Sequence, residues 1–371
     1  MDFAFTPEQD ALRELTRRLL EDHVTPARLA AVEREHDGVD RKTWSALADA
    51  KLLGTAVAEA FGGSGLGLLE LCLVLEQIGR TVAPVPVFPT LVTGALPIAT
   101  FGTPAQRERW LPRVVAGESV LTAALVDAAS DDPLAPTTSA RRDGGTWRLD
   151  GVRDCVPAAH VADVVLVPAR IEGGAPIVFL VDPRSHGVTL ERQVATNRQV
   201  EARLTLAGAA GEPLGDGADV LAWMTDRALV GLCAMQLGVT DRALRMTADY
   251  TSRREQFGRP IATFQAVHQR AGDAFIDVAA IRLTCWQAAW RLGADLPAAA
   301  DVAVAKFWAS EAGHRVVYAA QHLHGGIGVD VDYPLHRYYL WAKRIELLLG
   351  SGTRQLARIG TELARRDDEV R

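Results

Sequence analysis

An α+β fold in three consecutive blocks, helical, then β, then helical, is what this 371-residue sequence predicts, and three observations carry it. Apolar residues recur at three-to-four spacing through roughly the first hundred positions. Short β-branched runs broken by Gly, Pro and Asp then occupy residues 118–215. Helical periodicity returns after "GEPLGDGADV" and lasts to the end. The expected domains are therefore residues 1–117, 118–215 and 216–371.

In chain order, "TPEQDALRELTRRLLEDHV" opens a helix with Thr6 as N-cap and Pro7 in the first turn, and spaces Leu12, Leu15 and Leu19 along one face. "RKTWSALADAKLL" and "GLLELCLVLEQIGRTV" repeat the pattern. Thr103 and Pro104 start "PAQRERWLPRVVAG", which stops at a glycine. In the middle block, "TWRLDGVRDCV", "ADVVLVPARI", "APIVFLVDP" and "VTLERQV" read as strands. The last block reads as long helical segments over 218–253, 262–293, 297–322 and 335–366.

With 48% hydrophobic and 23% charged residues the chain has the composition of a globular protein. Its net charge of −6, with both signs interspersed, lacks the basic footprint of nucleic-acid binding. Cys72, Cys155, Cys233 and Cys285 are too scattered for a zinc site or a disulfide framework, so they are expected to be reduced thiols in a cytoplasmic protein. The charged N-terminal stretch has no apolar signal-peptide core, and no run of about eighteen apolar residues suggests a membrane span.

Two stretches carry chemistry. In "YTSRREQFGRPIATFQAVHQRAGD" (250–273), a helix ends at an Arg-rich turn, a Phe-Gly break follows, and a second helix begins. Adjacent guanidiniums at a turn match the oxygens of a phosphate or pyrophosphate; a solvated helix connection is the plain alternative. In "AAQHLHGGIGVDVDYPLHRYY" (319–339), Gly325, Gly326 and Gly328 permit close backbone approach. His322 and His324 lack the neighbouring carboxylates or cysteines of a metal site and read as hydrogen-bonding groups, so no metal is expected. "FGGSGLGL" (61–68) follows a helical pattern rather than a strand, so it lacks the setting of a dinucleotide fingerprint.

Together with "MDFAFTPEQDALRE" and "VAEAFGGSGLGLLELCLVLEQIGR", the segments "REQFGRPIATFQ" and "HGGIG" resemble the acyl-CoA dehydrogenase family over nearly the whole chain. The resemblance implies an N-terminal helical domain, a middle β domain and a C-terminal four-helix bundle. It implies FAD as cofactor, an acyl-CoA thioester as substrate, an electron-transfer protein as acceptor, and a cofactor site shared between subunits. Arg254, Gln256 and Phe257 match the residues that contact the FAD diphosphate and adenine side, and Gln265 matches the glutamine after them. The "QHLHGG" segment, through Gln321, His322, Gly325 and Gly326, matches the part that reaches a neighbouring subunit's flavin. The family's usual glutamine position there holds His322, with Gln321 one place earlier.

The family's reaction removes the α-proton of the thioester with a carboxylate base while the β-hydrogen leaves as hydride to the flavin. Here the pattern departs. Ser351 stands where the carboxylate precedes Gly352 and Thr353, and a serine hydroxyl is no base near neutrality without activation. The alternative base position on the first helix of the C-terminal domain falls on Ala228, with Asp226 and Arg227 nearby. In the middle domain Val126 and Asp127 replace a threonine and a glutamate, and Cys155, Val156 and Pro157 stand where a tryptophan and a hydroxyl residue cover the flavin ring. This pattern resembles the non-catalytic partner subunits of actinobacterial heterotetrameric (α2β2) acyl-CoA dehydrogenases. Two other readings stay open: a self-sufficient homo-oligomeric dehydrogenase using Asp226, Glu346 or another base, and a non-redox relative that binds flavin or acyl-CoA.

Overall fold

The computed structural model describes residues 4–130, 132–215 and 220–370. The helices of the first block are α1 (Pro7–His23), α2 (Pro26–Val32), α3 (Arg41–Asp49), α4 (Leu68–Thr81), a fully buried π-helix (Phe88–Ala95), α5 (Leu96–Phe101) and α6 (Pro104–Val115). The predicted caps are present. The Gln9 amide donates to the Thr6 hydroxyl, and Thr103 and Gln106 exchange both bonds of a capping box.

Seven strands follow: β1 (Leu121–Ala123), β2 (Ser139–Asp143), β3 (Thr146–Pro157), β4 (Val164–Ile171), β5 (Ile177–Val181), β6 (Val188–Val194) and β7 (Val200–Pro213). Their pairings close on themselves in the order β4–β2–β3–β7–β5–β4, with β1 alongside β4 and β6 alongside β7. Closure removes the unpaired edges an open sheet would present. Leu149, Val165, Val167, Phe179, Leu204 and Leu206 fill the interior. The β3–β7 register slips between Arg153 and Val156, and Cys155 takes a positive φ of 53° at that bulge.

The last block comprises α7 (Val220–Arg253), a small hairpin of β8 (Glu255–Gln256) and β9 (Arg259–Pro260), α8 (Gln265–Gly293), α9 (Ala299–His324), α10 (Leu335–Leu347) and α11 (Gly352–Val370). The segment expected as one helix over 335–366 is two helices. The apolar run Leu347–Leu349 continues the helical spacing past the true end of α10, where Leu349 turns to a φ of 58° and Gly350 to 95°. By length and composition α7 could cross a membrane, but 83% of its apolar window is buried in the protein, as in a core helix.

The chain forms two compact units. One holds residues 22–71 and 84–228, including the barrel; the other holds residues 1–21, 72–83 and 229–371. In the second unit α9 lies against α8, α10 and α11. There α4 and α7 meet backbone to backbone: a methyl on Gly79 would lie 2.0 Å from the Met235 carbonyl oxygen, and one on Gly238 1.9 Å from that of Glu76. Buried charges flank this contact. Arg13 binds Glu76 in a fork at 2.9 and 2.8 Å, and Asp241 takes Arg80, Arg245 and Arg282 at 2.9, 2.7 and 3.1 Å. Gly238→Ala is expected to force these helices apart and cost about 2 kcal/mol or more, read as a lower urea midpoint at unchanged slope.

Candidate functional site

Helix α7 ends where the Arg254 amide donates to the Tyr250 carbonyl at 2.8 Å. The Ile261 amide returns to the Arg254 carbonyl at 2.8 Å, closing a loop around the β8–β9 hairpin. The hairpin's two central residues, Phe257 and Gly258, both have positive φ, 54° and 74°. That is the backbone of a tight hairpin turn, a form that favours glycine or asparagine, and phenylalanine adopts it at a cost of about 1 to 3 kcal/mol. The strain holds the Phe257 ring 93% exposed, with only an edge contact to Phe264 at 6.2 Å. The Arg259 guanidinium lies over the Phe264 ring at 4.3 Å, which stiffens the base of the loop. Arg254, Gln256 and Gln265 are exposed on the same segment.

The second segment begins where α9 ends. His324 is buried; its Nδ1–H donates to the Ala320 carbonyl at 2.8 Å, and its Nε2 meets the Tyr333 hydroxyl at 3.1 Å. Gly325 and Gly326 follow with open space where side chains would stand, and Gly325 has a φ of 65°. His322 is exposed, whereas the Gln321 amide nitrogen is turned inward, buried and without a hydrogen-bond partner. Of the two residues at the family's glutamine position, His322 is therefore the one at the surface. The Tyr250 ring stacks on His324 with centroids 4.5 Å apart, so the hairpin and the glycine turn are joined through one aromatic contact.

The donor set of these segments suits the adenosine diphosphate half of FAD. An exposed guanidinium, an exposed aromatic ring, an exposed imidazole and open glycine backbone are the groups that meet phosphate and a heteroaromatic base. The ring-side positions do not suit the isoalloxazine. Both Asp127 oxygens are taken by the Thr137 amide and hydroxyl, the Ala129 amide and the Arg153 guanidinium, 2.7 to 2.9 Å away. Burial opposes the Asp127 charge, but these partners hold its carboxyl below the usual range. Arg153 has no exposed surface, and burial lowers its guanidinium to about 10 against the pull of Asp127. Val156 is buried, Pro157 has no amide proton, and its carbonyl accepts the Thr122 hydroxyl at 2.6 Å.

Ser351 is half-buried on the turn between α10 and α11. The turn is shaped from below by Lys306 on α9, a residue that sequence spacing did not mark. Its buried ammonium donates to the Ser310 hydroxyl and to the carbonyls of Ile345, Glu346 and Gly350, at 3.0 to 3.2 Å. It thus closes the carbonyl end of α10. Of the other acids considered, Glu346 is tied to Lys343 at 2.6 Å and faces His314 at 3.7 Å. Ala228 is buried, and Asp226 is half-buried on α7. Arg227 lies over the Trp223 ring at 3.7 Å. A further carboxylate, unmarked in the sequence, is Glu311 on α9. It packs so closely on the start of α11 that a methyl on Gly352 would lie 2.2 Å from its Oε1.

Comparison with known proteins follows the same lines. Residues 6–118 match the N-terminal domain of acyl-CoA dehydrogenases and residues 215–364 their C-terminal domain. Acyl-CoA dehydrogenase FadE27 of Mycobacterium tuberculosis is 41% identical over 98% of this chain and 99% of its own length. Among solved structures, the ChsE4–ChsE5 complex from Mycobacterium tuberculosis superposes with a TM-score of 0.94 at 41% identity, covering 98% of this chain and 99% of that one. A variant of the Tcur3481–Tcur3483 steroid ACAD superposes at 0.93 with 45% identity, covering 97% and 99%. Helical, barrel and helical blocks in this order, two glycine-bearing segments joined at Tyr250 and His324, and 41% identity to FadE27 over nearly the full length of both chains place the chain in the acyl-CoA dehydrogenase family.

Proposed function

We propose that this chain is the base-lacking subunit of a heteromeric, FAD-dependent acyl-CoA dehydrogenase. One observation carries the reading: the groups suited to the diphosphate and adenine side stand exposed, while the ring-side positions are spent on internal bonds and the base position holds a serine. Arg254, Gln256, Phe257, Gln265, His322, Gly325 and Gly326 would hold the ADP half of an FAD whose ring and base belong to a homologous catalytic subunit. The bound flavin supplies hydride acceptance. The partner's carboxylate takes the α-proton, and an electron-transfer protein takes the electrons onward.

The relatives support a substrate class. One solved relative is a two-component steroid ACAD and another is the two-component ChsE4–ChsE5 complex, which favours a CoA thioester with a bulky acyl group such as a steroid side chain. The expected location is the cytoplasm.

The test is purification of the chain alone and after co-expression with its genomic neighbour, with oligomer mass, flavin absorbance and anaerobic bleaching by acyl-CoA recorded. Alone, the chain should hold little flavin and bleach none; together, the two should form a yellow, reducible complex. Arg254→Ala in that complex should weaken FAD retention by about tenfold or more through loss of a charge-assisted bond. Full flavin occupancy in the variant contradicts the assignment. The self-sufficient reading has one observation in its favour, the Glu311 carboxylate beside the Ser351–Gly352 turn. It predicts bleaching by the chain alone that Glu311→Gln abolishes.

A further inference from the structure

We propose that His324 is a positioning residue: stacked on Tyr250 and bonded to the Tyr333 hydroxyl, it sets the distance between the Arg254 hairpin and the Gly325–Gly328 turn, and so the hold on FAD. The inference rests on the FAD reading above and goes beyond it, since His324 is buried and stands behind the exposed residues assigned to the cofactor.

The geometry is that of a joint. On one side the ring stacks on Tyr250 at 4.5 Å and 19°, and the Tyr250 carbonyl accepts the Arg254 amide, so the stack is one hydrogen bond from the hairpin. On the other side His324 is the last residue of α9 and leads directly into the glycine turn. The bond from Nδ1–H to Ala320 fixes the neutral tautomer and leaves Nε2 as an acceptor for the Tyr333 hydroxyl. Tyr333 is tied in turn to the start of α10, where His336 Nδ1–H donates to its carbonyl at 2.7 Å. From within, the Gln321 amide fills the space against Gly328, where a methyl would lie 2.7 Å from its nitrogen.

The joint as seen, with Nε2 accepting from Tyr333, belongs to the neutral ring. A proton on Nε2 reverses this bond, so that the Tyr333 oxygen must turn to accept it, and it places a charge where burial disfavours one. The titratable groups against it are Tyr250 on α7 and Tyr333 in the loop; Arg242 and Asp249 on α7 act on Tyr333, and His336 on α10 bonds its carbonyl. Burial pushes the His324 ring down, against the bond to Ala320, and none of these groups offsets it. Protonation therefore falls below the ordinary histidine value of about 6.5.

The test measures FAD retention in the co-expressed complex from about pH 5 to about pH 8, by flavin fluorescence after ultrafiltration, with circular dichroism checking the fold. Wild type should lose FAD in one proton step below about pH 6.5. His324→Asn should bind FAD about tenfold more weakly at neutral pH and show no such step, because asparagine does not titrate. Tyr333→Phe, which removes a single oxygen, should weaken retention by a smaller factor and serves where His324→Asn fails to fold. Unchanged retention in both variants overturns the inference. So does an acid step that persists in His324→Asn, since it then belongs to another group. A complex that retains no FAD at any pH overturns the FAD reading itself, and this inference with it.

Discussion

Asp127→Asn is expected to lower the stability of the barrel-containing unit by about 3 to 5 kcal/mol, because it removes the counter-charge from a guanidinium with no route to water. Arg153 has no exposed surface, and Asp127 Oδ2 lies 2.9 Å from its Nη1. The remaining contact is a short bond from Nη2 to the Pro168 carbonyl, and Nε has no partner. The substitution also weakens the Thr137 and Ala129 bonds that hold the loop after β1. Urea unfolding followed by tryptophan fluorescence should show the midpoint shift. A double-mutant cycle separates the causes. If the loss is mainly an abandoned charge, Asp127→Asn combined with Arg153→Leu should be less unstable than Asp127→Asn alone. Equal loss in the single and double variants would mean that the loop bonds, and not the ion pair, carry the effect.

Lys306→Met is expected to cost about 2 to 4 kcal/mol and to change how stability depends on pH. Methionine matches the stem of the side chain but removes the buried donor shared by three carbonyls and a hydroxyl, leaving the Ile345 carbonyl without it and the Glu346 and Gly350 carbonyls with only the weaker bonds from Ser310 and Gln355. Burial brings the Lys306 ammonium down to about 8, against the pull of Cys233 and Glu346, while the unfolded chain keeps its lysine protons to about 10.4. Between those values unfolding takes up a proton, so the wild-type contribution to stability rises with pH through that window and is flat below it. Denaturation series from about pH 7 to about pH 10.5 should show the slope in wild type and its absence in Lys306→Met. Identical slopes would mean that Lys306 titrates as it does in the unfolded chain.

What could be read from the sequence was whatever is decided within a few residues. The Thr6 and Thr103 caps mark their helices, and β3 to β6 follow from β-branched runs between turn residues. Strand β7, among the longest in the barrel, gives no such signal: Ala207, Ala209, Ala210 and two glycines fill its second half, and pairing with β3 and β5 makes that half a strand. The α10–α11 break was hidden because Leu347 and Leu349 keep the helical spacing. Among the candidate site residues, the Arg254 hairpin stands out by composition. The strained Phe257 backbone, the inward turn of Gln321 and the buried Lys306 depend on neighbours far along the chain. In "AVAKFW" a lysine reads as a surface charge, and only the arrival of α10 against α9 turns it into a buried donor.

The turn at 348–351 owes its shape to Lys306 on α9 and to Gln355 on α11, which donates to the Leu349 and Gly350 carbonyls; neither contact involves the side chain at 351. A lineage that splits one enzyme into two specialised chains can therefore change that side chain in a single step without disturbing the backbone. An acid at that position could be absent from one copy, and by the same route appear in it, while the turn keeps its shape.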